Sequence, residues 1–336
     1  MYNYIIILDG NKNINPIYIF IYMKVALCFI ISYSHILNKE DIWIEWIEPN
    51  KDIINVYFHY KNYNEIQSEW IKKHAIHPKC VVETNYMHVV PAYLTLMNFV
   101  LTHDQQNMWL CFLTDSCVPI ISPLKFRELF FENYFKTIMS WRKAWWNVNF
   151  CNRANLKLLK EDFHLANDPW FVIKREDAIR CMNYSKLNTH IYNLICKGDV
   201  ANESIFAIIL YSANQLNNTV KNEVTHAADW SRMSSATSPH VFKEGDKKDI
   251  KFIDDFLKKN KYTMFLRKID KKFPDSIIKK CFEDNNNLLK RKRKLIYIEY
   301  KLKFIYIIQR IMHFKYFSLL SLFAITFFFT KFCMKS

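Results

Sequence analysis

The sequence predicts an α/β domain with a mostly parallel central sheet flanked by helices, and three observations carry that prediction. Between Lys24 and Leu113, short apolar runs alternate with helical stretches, as in chains that build parallel sheets through helical crossovers. The first run is continuously apolar rather than alternating, as a strand covered on both faces requires. Another apolar run ends directly in a polar turn at Asp115 and Ser116, and the carboxyl ends of strands are where open α/β sheets hold ligands.

Taken in order, Met1 to Tyr22 is apolar but broken by Asp9-Gly10 and by Asn11 to Pro16. That is too interrupted for a spanning helix and lacks a small-residue cleavage site. Residues 1–22 read as a poorly defined extension, and the main domain is expected over 23–285. Its first strand is Lys24 to Ile31, followed by a helix over Asp41 to Glu48 and a strand over Ile53 to His59. A helix near Ile66 to His74, a strand at Cys80 to Glu83, a long apolar helix over Ala92 to Thr102 and a strand over Met108 to Leu113 complete the alternation. The segment Asn133 to Asn167, rich in Trp and Arg and weakly periodic, is expected to form long loops over the site.

A basic linker or helix is expected over 286–315, and a candidate C-terminal transmembrane anchor over 316–333. Tyr316 to Thr330 carries no charge, but as a helix it reaches only about 22 Å against a hydrocarbon core of about 30 Å. It spans only if Lys331 snorkels and Phe332 and Cys333 are included. An amphipathic or packed helix is the competing reading.

Composition removes several function classes. With 336 residues, 51% of them hydrophobic, the chain can bury a large core, and disorder is not expected over most of it. Its glycines are Gly10, Gly198 and Gly245, so no Gly-rich phosphate loop of the dinucleotide or P-loop kind can be built. Most of the net charge of +15 lies from Lys290 onward, where eleven Lys and Arg residues face the single acid Glu299. The preceding chain is unremarkable in charge, which argues against a nucleic-acid partner. The nine cysteines are scattered without C-x-x-C pairs and their number is odd. No zinc ribbon or full disulfide framework is written there, although one or two bridges remain open. His74, His77 and Cys80 are the nearest approach to a metal cluster, but a helix ending at Pro78 explains the two histidines equally well.

The strand and turn Trp109-Leu110-Cys111-Phe112-Leu113-Thr114-Asp115-Ser116-Cys117-Val118-Pro119-Ile120 resembles the L-S-E-S-C-I-P-L element of the core-2/I-branching β-1,6-N-acetylglucosaminyltransferases, which include plant relatives and the related peptide O-xylosyltransferases. Further resemblances follow in the family's order. Phe150-Cys151-Asn152-Arg153 is similar to Y-N-x-R, and the segment from Asp168-Pro169-Trp170-Phe171 to Ala178 is similar to S-Q-W-F-V-x-x-R-x-x-A. Asn202-Glu203-Ser204 stands at the D-E-H helix start, Thr225 to Arg232 resembles T-x-x-D-W-S-R, and Phe265-Leu266-Arg267-Lys268-Ile269 resembles F-A-R-K-F. Together these cover about residues 24 to 282. The departures are Asn202 in place of Asp, and Met233 to His240 in place of G-G-P-H-P, with only Pro239-His240 recognisable. The basic element is ambiguous between Arg267-Lys268 and Lys271-Lys272.

The resemblance implies a GT-A-like fold and an inverting glycosyltransferase that moves GlcNAc, xylose or a similar sugar from a UDP-sugar to a hydroxyl of a glycan or protein acceptor. Such a reaction needs one carboxylate beside the attacking hydroxyl, whereas glycosidases need a second to protonate the leaving oxygen. Glu203 is the implied general base; a Glu opening a helix is also an ordinary favourable position at the dipole. No D-x-D occurs, so no divalent metal and no cofactor is expected. The leaving diphosphate would be neutralised by Arg267, Lys268 or Lys272, residues that alone would read as a solvated basic helix face. His59 is similar to the family's Y-x-x-H position and, with Asp115 and Ser116, is implied to bind the donor. Trp230 is implied as the sugar platform, a buried core Trp being the alternative. Asp229, Arg232 and Trp170 join it on the acceptor side.

Two other functions compete. One is a non-catalytic membrane-associated binding protein whose Lys290 to Lys294 patch attracts anionic lipid; the other is a nucleic-acid binder using the same patch. Neither gives Glu203, Trp230 and Arg267-Lys268 a reason to occur in this order. Association with a membrane is expected through the C-terminal segment, with the orientation of the domain open. Glycosylation at Asn183 or Asn217, both in N-x-[ST] sequons, would mark a lumenal domain.

Overall fold

The computed structural model describes residues 23–283, together with Ile298 and Lys301. The extension 1–22, the Lys290 to Lys294 patch and the candidate anchor 316–333 lie outside the described residues. A compact unit, Met23–Leu295, contains the sheets and helices.

Strand β1 (Lys24–Ile30) lies inside a four-stranded sheet, which is why its residues Val25 through Phe29 are all fully buried. β2 (Ile54–His59) and β3 (Asn107–Thr114) pair with it in parallel on either side, and β7 (Val172–Lys174) adds antiparallel to β3. The order is therefore β2-β1-β3-β7. The chain leaves β1 to one side and later returns on the other, so a topological switch point lies between the carboxyl ends of β1 and β3. The loops after the two strands are tied there: the Ser32 N–H donates to Asp115 Oδ2 at 3.0 Å.

Helix α1 (Glu40–Ile47) forms the first crossover. Its buried Trp43 and Trp46 pack edge-on to each other, Trp43 meets Phe29 of β1 at 5.0 Å, and their indole N–H groups donate to the carbonyls of Cys117 and Ile121. Each such ring contributes roughly 2–3 kcal/mol through burial, and the two indole bonds set where the chain runs after β3. Helices α2 (Glu69–His74) and α3 (Val90–His103) make the second crossover, α2 opening on a Ser68 cap to the Ile71 N–H.

A three-stranded sheet of β4 (Val118–Pro119), β9 (Phe265–Arg267) and β8 (His226–Ala228) follows, β9 lying between the other two. Helices α8 (Lys247–Lys259) and α9 (Asp275–Phe282) share a core with it, built on Val118, Leu266, Phe242, Ile253 and Ile278. Along the chain between β4 and β8 come α4 (Pro123–Asn133), the short pair β5 (Trp141–Lys143) with β6 (Leu165–Asn167), and α5 (Arg175–Leu187). After them come α6 (Thr189–Cys196) and α7 (Ile205–Ser212).

The expected strands at the start of the chain and the helices over 41–48 and 92–102 are present within a residue or two. The strand expected at Cys80 to Glu83 is absent: Pro78–Cys80 forms a 3₁₀ turn and the following residues are irregular. The β2 edge it would need is partly used, because the Ile76 N–H donates to the Phe58 carbonyl. The helix expected from Ile66 begins only at Glu69, its start fixed by the Ser68 cap. Among the described residues all eight cysteines are free, so the bridges left open by the sequence do not form there. The loops expected over Asn133 to Asn167 are long, but β5 and β6 pin them antiparallel.

Candidate active site

The site lies where the carboxyl end of β3, the start of α7 and the end of β9 converge. Its floor is an aromatic cluster. Tyr93 of α3 packs on Phe112 of β3 at 4.6 Å and on Phe206 of α7 at 5.2 Å, and Phe171 contacts all three. The buried Tyr93 hydroxyl donates to the Pro169 carbonyl at 2.7 Å. Burial raises its pKa, while the charges of Arg267 and Glu203 both act on it. The two chemically distinct halves of the site thus meet at one side chain.

On the first half stands Glu203, which ends the 3₁₀ turn Ala201–Glu203 rather than opening a helix; α7 begins two residues later. Its Oε2 accepts from Arg153 Nη2 at 2.7 Å. Burial pushes its carboxyl above the usual range, Arg153 pulls it down, and the nearby Asp168 pushes it up again. Asp168 is itself raised by burial, with Arg142 opposing. Each arginine is laid over an indole: Arg142 on Trp145 at 4.1 Å and Arg153 on Trp146 at 4.6 Å.

The backbone around this group is held in uncommon conformations. Ala154, Asn155 and Val200 all have positive φ, at 50°, 50° and 44°, each costing roughly 1–3 kcal/mol. The loop carrying Arg153 docks on the segment leading to Glu203 through the Ala154 N–H to Asp199 carbonyl and Asp199 N–H to Asn152 carbonyl bonds. Gly198 permits this approach, since a Cβ there would lie 2.3 Å from the Asn155 nitrogen. Asn202 Oδ1 and Ser204 Oγ, on either side of Glu203, are buried without a protein partner.

On the second half, Arg267 closes β9. It is buried, its guanidinium lies 3.5 Å from the Trp170 ring centroid, and Nη1 donates to Thr114 Oγ1 at 2.6 Å. Burial lowers its pKa, yet a guanidinium stays charged. It belongs to a strand, not to a solvated helix face. Lys268, half-buried, donates to Ser238 Oγ at 2.7 Å, and burial followed by the Arg267 charge lowers its pKa. Lys272 is exposed on a turn whose backbone N–H donates to Asp270 Oδ1. Asp115 and Ser116 sit at the β3 end beside Arg267 and Lys268: the Ser116 carbonyl accepts from the Ile269 N–H, and the Asp115 charge acts on both cations.

A cleft of about 650 Å³ opens at the carboxyl ends of β1 and β2, lined by Tyr33, Tyr60, Lys61, Val82 and Glu83 among others. His59 lies behind this wall, fully buried; its Nε2 accepts from the Val82 N–H and burial pushes it down to about 4. It supports the cleft from within rather than facing it.

Trp230 is half-exposed, so the reading of it as a core residue is set aside. The buried Asp229 is spent inside its own turn, accepting from the Ser231 N–H and hydroxyl and from Arg232 Nε. Burial raises its carboxyl, but those bonds outweigh it and hold it below the usual range. Arg232 in turn bridges to Asp249 at 2.9 Å. Both therefore shape the Trp230 loop.

Arg153, Trp145, Trp146 and Asp168 are not among the site residues the sequence predicts. The Trp and Arg enrichment of Asn133 to Asn167 was the available signal. Among the described residues no group of three or more His, Cys, Asp or Glu side chains is placed to hold a metal ion. His74 donates to the Trp70 carbonyl and His77 accepts from the Lys79 N–H, local roles within a helix and a turn. Also among the described residues, no helix is long and apolar enough to cross a membrane.

Comparison with known families gives a match over residues 27–254 to the model described as Core-2/I-Branching enzyme. No curated protein matches the chain.

Proposed function

The chain belongs to the core-2/I-branching enzyme family, a family of glycosyltransferases, and on that premise we propose an inverting transfer from a UDP-sugar to a glycan or protein hydroxyl, with Glu203 as the general base and no divalent metal. The observation that carries this reading is the environment of Glu203. A carboxylate acts best as a base when its pKa approaches the working pH, and burial together with Asp168 moves Glu203 in that direction while Arg153 opposes the shift and orients the carboxylate.

In the reaction the acceptor oxygen gives its proton to the Glu203 carboxylate and bonds to the anomeric carbon. The bond from that carbon to the diphosphate oxygen breaks on the opposite face, and UDP leaves with the bonding pair. The cleft beside Tyr33 and Tyr60 offers room for the nucleotide. Lys268, with Arg267 behind it, supplies positive charge toward the leaving group in a partly desolvated position, where such charge is most effective. The lack of D-x-D in the sequence supports side-chain cations in that role. Trp230 offers an exposed ring for a pyranose face. GlcNAc and xylose are the leading donor sugars, and the 316–333 segment is the proposed membrane anchor.

The test is UDP release from UDP-GlcNAc and UDP-xylose, with EDTA present, for the wild type and Glu203→Gln. Turnover is expected to persist in EDTA and to fall about 10²–10⁴-fold in the variant, while UDP binding is retained. A requirement for divalent ions, or a variant as active as wild type, refutes the mechanism.

A further inference from the structure

We infer that Asn167 is a positioning residue for Glu203, its one buried side-chain amide gripping the backbone on both sides of that carboxylate. The inference rests on the reading of Glu203 as the base. Asn167 ends β6 and is 2% exposed. Its Nδ2 donates to the carbonyl of Asn202, the residue before Glu203, at 2.9 Å, and its Oδ1 accepts from the Ala207 N–H at 3.1 Å.

Those two atoms meet needs that the local chain leaves open. The turn carrying Glu203 makes its own bonds from the Glu203 N–H to the Val200 carbonyl and from the Ser204 N–H to the Ala201 carbonyl, and the Asn202 carbonyl takes part in neither. Helix α7 follows at once, and Ser204, standing at its N-cap position, makes no side-chain cap; the Ser204 Oγ is buried without a protein partner. A helix start needs acceptors for its first N–H groups. Here Asn167, distant in sequence, supplies the acceptor that Ser204 does not.

The arrangement makes Glu203 a bridge between two anchored points rather than the loose end of a turn. Both points are tied to the same strand, which is paired with β5, the strand bearing Arg142. Asp168, the neighbour of Asn167, is the carboxylate that acts on Glu203. Displacement of a catalytic group by about 1 Å can cost about 10²-fold in rate, so the grip on the Asn202 carbonyl bears directly on turnover.

Asn167→Asp separates the two contacts. The carboxylate still accepts from the Ala207 N–H at a helix start, where negative charge is favourable, but it no longer donates to the Asn202 carbonyl. With UDP-GlcNAc or UDP-xylose as the donor, kcat is expected to fall about 10–100-fold while the donor KM stays within about twofold. The acid limb of the kcat profile should move to higher pH, because a second carboxylate beside Glu203 disfavours its ionisation. Concentrations are normalised to UDP-binding sites, so a loss of folded protein alone changes none of these quantities. Asn167→Ser, which keeps a short hydroxyl acceptor, is measured in parallel in case the Asp variant fails to fold. A normalised kcat within about twofold of wild type, with the acid limb unmoved, overturns the inference provided that Glu203→Gln is inactive. Activity in Glu203→Gln overturns the base reading instead, and the two failures are told apart by which variant turns over.

Discussion

His59 makes the stability of this domain depend on pH over a defined window. The imidazole is fully buried at the end of β2 and its pKa is pushed from an ordinary 6.5 down to about 4, chiefly by burial. Above pH 6.5 the ring is neutral in both folded and unfolded chains and contributes no difference. As the pH falls through 6.5 the unfolded chain takes up the proton first, so folding stability declines until about pH 4, where the folded ring is protonated as well. The gap of about 2.5 units, at about 1.4 kcal/mol each, amounts to about 3.5 kcal/mol. That is a large share of the roughly 5–15 kcal/mol that holds a domain folded. His226, buried and acted on by the Arg267 charge, is displaced in the same direction, so wild type should weaken by more than the His59 share alone. His59→Gln keeps an acceptor for the Val82 N–H and removes the titration. Urea unfolding followed by Trp fluorescence at fixed ionic strength, from pH 7 to pH 4, should show wild type losing about 3.5 kcal/mol more than the variant. Parallel curves for the two proteins refute the argument.

Three further outcomes are expected. Trp230→Ala should raise the acceptor KM about tenfold, equivalent to about 1.4 kcal/mol, and leave the melting temperature unchanged, because the ring is half-exposed. Lys268→Ala should weaken UDP binding by about 10–100-fold, the worth of a charge-assisted contact of about 1.5–3 kcal/mol, whereas Lys272→Ala should stay within about twofold; calorimetric titration with UDP decides between the two lysines. Gly198→Ala should cost about 1–3 kcal/mol in chemical denaturation and lower kcat, because the added methyl would lie 2.3 Å from the Asn155 nitrogen and displace the Arg153 loop.

The parallel sheet was legible because its signal is local. Lys24 to Ile30 must be covered on both faces to be stable as a strand, and a polar turn directly after Leu113 places Asp115 at the carboxyl end of the sheet whatever surrounds it. Family order then brought out Glu203, Trp230 and Arg267-Lys268 as candidate site residues. Neither route shows that the strand expected at Cys80 to Glu83 is absent, since β-propensity says nothing of whether a sheet edge is still free.

What the sequence determined by itself is the class of fold, the family and the residue types available for chemistry. Only the tertiary structure decided their states. It spent Asp229 inside a turn, sank Arg267 beneath Trp170 and exposed Trp230. It also set Arg153, Asp168 and Asn167 around Glu203. The reason is physical: burial and the distance between charges fix a carboxyl's affinity for a proton, and both depend on which distant segments fold together.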